Sequence, residues 1–346
     1  MCIARTCVFP SVLLAAALAL GCSRTYDNPF AGSNPTTPPP ASASIVFTSS
    51  IQNARPGGGR EIYAVEESGA NPTRLTFCTN AGACSSLEAS FSGDRQRAAV
   101  RRVLADTDSD GRLTAADGAG VFLVDFARSV EGALLPAGAR VGSVDWSAIS
   151  EVIVYSGAGT GGLEDLFRMD PNGQNNRNIS DTAAIRERHA RVDPTGSIAV
   201  FERIDAAGKG EIWVFFTTQA QSRITTGGET GAALPASPYV VGSDADPDYA
   251  PDGRSIVFRR LRALGDGRLG QWDIVTVRAD GTGLTTIASG PAYRDAPDWG
   301  PRGIVFAETG SDGRTEIVVV DPDGANRRTV LTVGAGVELG ATRWLP

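Results

Sequence analysis

The stretch Asp246-Pro-Asp-Tyr-Ala-Pro-Asp-Gly-Arg-Ser-Ile-Val-Phe-Arg259 decides the fold. An aromatic residue, a Pro-Asp-Gly turn and an alternating apolar run describe a strand, a tight reversal and a second strand, because Gly253 can take the positive φ that such a reversal demands. A second pair follows it: a strand around Ile274, Val275 and Val277, an Asp280-Gly281 turn, and a closing strand from Leu284 to Ile287. The same two-part pattern returns at Asp295-Ala-Pro-Asp-Trp-Gly-Pro-Arg-Gly-Ile-Val-Phe-Ala307 and Glu316-Ile-Val-Val-Val-Asp-Pro-Asp-Gly-Ala-Asn326. Two copies in succession indicate an array.

Working outward, the aromatic anchor of the first strand aligns at Phe91, Trp146, Val192, Tyr249, Trp299 and Trp344, spaced 45 to 57 residues apart. An acidic residue before an apolar pair marks the third strand at Glu61-Ile62, Asp165-Leu166, Glu211-Ile212, Asp273-Ile274 and Glu316-Ile317, with Gly120-Val121 as a weak counterpart. Four short strands per unit at this period match propeller blades, not helical solenoids. The pattern predicts an all-β, six-bladed β-propeller over residues 44–346. Ser44-Ile-Val-Phe-Thr48 looks like a second strand lacking a first, and Ala341-Thr-Arg-Trp-Leu-Pro346 like a first strand lacking a second. Pairing the two ends would complete one blade and remove the open edges of the ring.

The Asp-Pro-Asp-Tyr-Ala-Pro-Asp-Gly and Ala-Pro-Asp-Trp-Gly-Pro-Arg-Gly units resemble the WD40-like (PD40) repeats of TolB-type six-bladed propellers of bacterial envelopes. The match is strongest in the fifth and sixth units. Phe91-Ser-Gly-Asp-Arg95 and Val192-Asp-Pro-Thr-Gly196 depart from it. The resemblance implies a scaffold for protein–protein interaction in the envelope, with an envelope protein as partner. It covers the propeller alone, since the α/β domain that precedes the propeller in TolB has no counterpart here.

Before the propeller, Arg5 and the apolar run Val8 to Leu20 have the form of a secretory signal, too short for a comfortable membrane span of about 20 residues. Ala19-Leu20-Gly21 before Cys22 resembles the lipobox of bacterial lipoproteins. That resemblance implies a signal peptide over 1–21, lipidation of Cys22, and, from Ser23, an outer-membrane anchor with the body facing the periplasm or the cell surface. Residues 22–43 are rich in Pro, Ser and Asn with almost no apolar content, the composition of an unstructured tether. Once the signal is removed and Cys22 acylated, Cys78 and Cys84 remain. They are expected to close a disulfide in an oxidising compartment, the alternative being two unpaired thiols in a loop.

The net charge is −7, Lys209 is the only lysine, and no run of basic residues occurs. This argues against nucleic acid and against attraction to an anionic membrane surface, leaving the lipid as the membrane contact. A monomer is expected.

The sharpest chemical signal is Asp106-Thr-Asp-Ser-Asp-Gly-Arg-Leu-Thr-Ala-Ala-Asp117. Carboxylates at Asp106, Asp108, Asp110 and Asp117, a glycine at the sixth position, the Arg112 carbonyl and Thr114 follow the ligand schedule of a calcium loop. Position twelve is Asp instead of Glu, and strands are expected to flank the loop in place of helices, so the loop is taken as an EF-hand-like insertion holding a structural Ca2+. A solvated acidic turn is the alternative.

If strands run outward from first to fourth, the tight turns at Pro194, Pro251, Asp170-Pro-Asn-Gly173 and Asp321-Pro-Asp-Gly324 share one face. The long connections, among them Gln52 to Gly59, Gly227 to Asp244 and Leu261 to Gly270, share the other. The loop-rich face is therefore the expected binding surface. Ser156-Gly-Ala-Gly-Thr-Gly-Gly162 lacks the lysine of a phosphate loop, and His189, with Arg186, Arg188 and Arg191 near it, is expected to be an ordinary polar loop residue, the alternative being a place at the channel mouth. No catalytic residue is assigned. Asp246, Asp248, Asp295 and Asp298 could act as paired acid and base, but bonding within the repeat motif accounts for them more simply. The competing class is a carbohydrate-active or other hydrolase or lyase with its site on the loop-rich face.

Overall fold

The computed structural model describes residues 38–51, 59–77, 84–216, 220–228, 231, 237–263 and 271–346. The first blade contains β1 (Ile45–Ser49), β2 (Glu61–Val65) and β3 (Thr73–Arg74); the second, β4 (Ser85–Phe91), β5 (Arg97–Val103), β6 (Gly120–Asp125) and β7 (Val130–Leu135). The third holds β8 (Ser143–Ser147), β9 (Val152–Ala158), β10 (Glu164–Met169) and β11 (Arg177–Asn178); the fourth, β12 (Arg186–Val192), β13 (Ile198–Ile204), β14 (Gly210–Phe216) and β15 (Gln221–Arg223). β16 (Asp244–Tyr249), β17 (Ser255–Arg262), β18 (Gln271–Arg278) and β19 (Thr285–Ala288) form the fifth, and β20 (Tyr293–Gly300), β21 (Gly303–Thr309), β22 (Thr315–Val320) and β23 (Arg328–Val333) the sixth. The last strand, β24 (Leu339–Trp344), returns to the first blade, whose order is β24-β1-β2-β3. All six sheets have four antiparallel strands, so the expected six-bladed propeller is what the chain builds.

Ring closure pairs Ile45 with Trp344, Val46 with Arg343 and Ser49 with Leu339. Thr48 Oγ1 donates to the Gly340 carbonyl at 3.0 Å, Ser49 Oγ to the Glu338 carbonyl at 3.0 Å, and the Leu345 N–H to the Ser44 carbonyl at 2.8 Å. The clasp thus satisfies edge groups that would otherwise stay unpaired.

The aromatic anchors are wedges between blades. Phe91 of blade two packs with Val46, Ile62 and Ala64 of blade one; Tyr249 of blade five with Val200, Ile212 and Val214 of blade four; and Trp344 of blade one with Val305, Ile317 and Val319 of blade six. Each anchor therefore joins its own sheet to the preceding one, which explains why one large side chain per 45 to 57 residues is enough to mark the repeat.

The acidic third-strand anchors work within a blade. Glu61 is fully buried, accepting from Arg74 at 2.8 Å and Thr76 Oγ1 at 2.6 Å. Asp165 accepts from Asn178 Nδ2 at 2.7 Å, and Glu316 from Arg327 at 2.9 Å. Asp273 instead pairs with Arg262 on the second strand, at 3.1 Å. The third strands carry nearly continuous burial because neighbouring blades cover both faces, whereas β7 at the rim is mostly exposed.

Antiparallel order puts the first-to-second and third-to-fourth turns on one face. Gly196, Gly253 and Gly324 take φ of 76°, 68° and 85° in those tight turns, the left-handed region open to glycine. The calcium-like loop, between β5 and β6, lies on the opposite face, as expected. The expected connection from Gln52, much of those from Gly227 and Leu261, residues 1–37 with Cys22, and the pair's first cysteine, Cys78, lie outside the described residues. Cys84 is buried and disulfide-bonded. Among the described residues no helix is long and apolar enough to cross a membrane.

Candidate functional site

The first strand of every blade lines the axis. The residues just before the anchors form a ring of Ser90, Asp145, Arg191, Asp248, Asp298 and Arg343. Four of them accept the backbone N–H of the next anchor: Ser90 Oγ from Trp146 at 2.9 Å, Asp145 Oδ2 from Val192 at 2.9 Å, Asp248 Oδ2 from Trp299 at 2.8 Å and Asp298 Oδ2 from Trp344 at 2.8 Å. Arginine has no acceptor, so the other two positions are wired differently. Arg191 Nη2 reaches Glu88 at 2.9 Å, while Arg343 spans from Asp145 at 2.9 Å to Glu88 and the Val144 carbonyl.

Three residues before the anchors, His189, Asp246, Ala296 and Ala341 adopt φ between 46° and 51°, each at a register shift in its strand pair. A bulge with a left-handed non-glycine residue costs roughly 1 kcal/mol and re-aims the strand. His189 was expected in a loop; it lies in β12, because the bulge keeps Arg186 to Val192 paired with β13 on both sides of it. Its Nδ1 lies 2.9 Å from Glu202 Oε2 and 2.5 Å from Asp246 Oδ1. Burial alone would depress its pKa, but Asp246 and Glu202 outweigh burial and push it up to about 9. Asp246 is in turn held well below the usual carboxylate range: burial opposes this, and Arg259, with Nε at 2.5 Å, and His189 overcome it.

The acidic residues of the repeat divide by role. Asp248 and Asp298 bond to the anchor of the next blade, not inside their own turn as the simpler expectation had it. Asp246 and Asp295 bracket Arg259, whose Nη1 is 2.9 Å from Asp295, and Asp295 also accepts the Ala296 N–H. Burial and mutual repulsion raise the pKa of Asp248 well above the ordinary value, and burial takes Asp298 to about 6. Glu88 moves the other way, to about 2, because Arg343, Arg191 and Arg101 surround it despite complete burial.

These strands enclose an axial cavity of about 240 Å3 that opens toward the loop-rich face. Arg60, Arg101, Arg188, Arg191, Arg259 and Arg343 line it against Glu88, Asp246, Asp295 and Asp298. No run of basic residues foretold this. The arginines come from four blades, Arg60 and Arg343 from the first, Arg101 from the second, Arg188 and Arg191 from the fourth and Arg259 from the fifth, and only the ring closure brings them together.

Among the described residues two clusters have metal-ligand composition. Asp106, Asp108 and Asp117 have carboxylate oxygens within 4.8 Å of one another, as do ligand atoms of His189, Glu202 and Asp246. The second cluster is accounted for as an ion-pair network, since a protonated His189 and the Arg259 guanidinium already neutralise its carboxylates. In the first, a 3₁₀ turn over Ala115–Asp117 brings Asp117 back toward the loop, where it accepts the N–H groups of Thr107 at 2.6 Å and Thr114 at 2.9 Å. Thr114 caps that turn through Ala116 N–H, and Asp110 accepts from Arg112 N–H at 2.7 Å. Asp108 accepts the Asp110 N–H, yet burial and the Asp110 and Asp117 carboxylates raise its pKa. Among the carboxylates of the loop, Asp110 is not in the converging group.

Neither a family model nor a curated protein sequence matches the chain. Solved structures do. TolB from Acinetobacter baumannii is similar over 88% of this chain and 67% of that one, at 14% identity and TM-score 0.66. A protein described as TolB from Agrobacterium tumefaciens is similar over 88% of this chain and 98% of that one, at 16% identity and TM-score 0.56. A chain of a nidogen/laminin complex covers the same shares at 8% identity and TM-score 0.60. At such identities the likeness concerns architecture, and the architecture is that of the TolB-type six-bladed β-propeller.

Proposed function

We propose that this chain is an envelope lipoprotein whose propeller is a scaffold for binding a protein partner on its loop-rich face. The observation that carries this reading is the asymmetry of the two faces. Tight glycine turns lie on one side, while the calcium-like loop and, by the sequence, the long connections lie on the other, the arrangement expected when a rigid frame presents a binding surface. The TolB-type architecture supports it, and a propeller in a nidogen/laminin complex shows the same frame in a protein assembly.

In this proposal Cys22 carries the lipid, residues 23–43 tether the body to the outer membrane, and Cys78 pairs with Cys84. Asp106, Asp108 and Asp117 hold a structural Ca2+, which would neutralise three carboxylates that otherwise repel, with Asp110, Arg112 and Thr114 completing the oxygen cage. Metabolic labelling with palmitate should mark the chain, and Cys22→Ser should abolish the label. Cross-linking in intact envelopes should then capture a partner that is lost when the Gly227 to Asp244 connection is shortened and kept when the Pro251 turn is altered. Retention of the partner by the shortened chain refutes the assignment of the face.

A hydrolase or lyase is the second reading, favoured by the convergence of His189, Asp246, Asp295 and Asp298 at the axis. Against it, Asp246 and Glu202 push the His189 pKa up to about 9, which disfavours the neutral imidazole that a base at neutral pH requires. Turnover of an envelope polysaccharide or peptide, abolished by His189→Ala, would establish that reading over the first.

A further inference from the structure

Six arginines and four carboxylates line the axial cavity, and Glu338, Asp145, Glu164 and Glu202 pair with its cations from behind the wall. The pairing is loosest on one side. Arg188 has its shortest ion pair at 3.8 Å, to Glu164, and its Nε is buried with no hydrogen-bond partner. Arg101 reaches Glu88 through Nε at 3.3 Å, and Arg60 pairs with Glu338, which is 46% exposed. Arg101 and Arg188, with His189, also line an adjoining cavity of about 380 Å3, where Arg140 joins the wall and Arg186 pairs with Glu164 at 3.2 Å. The two spaces therefore meet at a cationic junction.

We propose that this junction binds a small organic polycarboxylate through Arg60, Arg101 and Arg188. The ligand class follows from the wall itself. Glu88 already sits among Arg101, Arg191 and Arg343, so guanidinium forks in this cavity are spaced to receive planar carboxylates, and every cation among them is Arg, with its fixed bidentate donors. The volume is far above the roughly 10–15 Å3 that one water needs on the same measure, so a molecule with two or three carboxylates has room. Burial first, and then the proximity of Arg60 and Arg188, depress the pKa of Arg101 against the pull of Glu88, whereas Glu202, Glu164 and Asp246 raise that of Arg188. An incoming carboxylate would offset the burial of the Arg101 guanidinium.

Isothermal titration of the full chain in detergent, at fixed calcium so that the acidic loop is unchanged, uses tricarballylate as the probe. The expected result is 1:1 binding that raises the melting temperature, and that weakens about tenfold or more in Arg188→Gln, the loss expected for one charge-assisted contact. Arg188→Gln alone should melt below the parent, because Glu164, Glu202 and Asp246 lose a cation, so affinities are compared well below the melting temperature of each protein. Arg140→Gln, outside the junction, should bind as the parent does. Absence of 1:1 heat with tricarballylate, equal affinity for inorganic phosphate or acetate, or undiminished binding by both Arg188→Gln and Arg101→Gln overturns the proposal. Loss of partner capture with tricarballylate binding intact would sink the scaffold reading and leave this one standing.

Discussion

Trp344 offers the most direct test of how the ring is held. Its indole is a wedge between blades one and six, its Nε1 donates to the Gly303 carbonyl at 3.0 Å, and Arg302 lies over the ring at 5.1 Å. Trp344→Ala should cost about 3–5 kcal/mol, the usual range for emptying a buried Trp site. At about 2–4 °C per kcal/mol for a chain of this order, the melting temperature should fall by roughly 10 °C. Gly300 provides an internal control. A Cβ built there lies 2.2 Å from Cγ and Cδ1 of Trp344, so Gly300→Ala in the parent must displace the indole and should cost about 1–3 kcal/mol. In the Trp344→Ala background the same methyl enters the vacated space, and its cost should nearly vanish. Differential scanning calorimetry of the four proteins gives the coupling, expected at about 1 kcal/mol or more in favour of the double variant. Additivity within about 0.5 kcal/mol would show that the indole does not occupy the space against Gly300, and the closure argument would fail with it.

Three further predictions follow from the site. Asp298→Ala, which leaves the Trp344 N–H without its acceptor, should cost about 1–3 kcal/mol in urea denaturation, while Asp298→Asn, which retains an acceptor, should cost less; equal losses would deny the clamp. His189 has a folded pKa of about 9, above its unfolded value, so the stability it contributes is complete below about pH 6.5 and is lost as pH rises through 9. It faces Asp246 and Glu202 as counter-charges and Arg188 as an opposing one, with Glu88 and Asp295 further off. The melting-temperature difference between the parent and His189→Gln should therefore shrink from pH 6.5 to 9.5, and a difference independent of pH would refute the charged pair. Calcium at about ten times its dissociation constant should stabilise the chain by roughly 1 kcal/mol, an effect removed by Asp106→Ala with Asp108→Ala; no calorimetric heat in the parent would end the metal assignment.

Blade number, strand order and the pairing of the chain's two ends were legible in the sequence, because each depends on a local feature that recurs. A Pro-Asp-Gly turn, one aromatic and one acidic anchor per unit are short-range signals, and six copies average out the units where Val192 or Gly120 departs from the pattern. The roles of those anchors were not legible. That Tyr249 packs on the preceding blade, and that Asp248 accepts the Trp299 N–H, are contacts across about 50 residues of chain that only the closed ring creates.

The cavity wall shows the same limit most clearly. Local alternation of polar and apolar residues marked which segments become strands, since a strand's two faces are read from neighbours two residues apart. His189, Arg191, Arg259 and Arg343 carry no mutual signal along the chain, being separated by up to 154 residues between His189 and Arg343. Their charge becomes one field only when sixfold closure sets them around a single axis away from water, where pKa values move and arginines meet carboxylates of other blades. Sequence alone determined the disc; tertiary structure decided that its centre is a network of buried ion pairs.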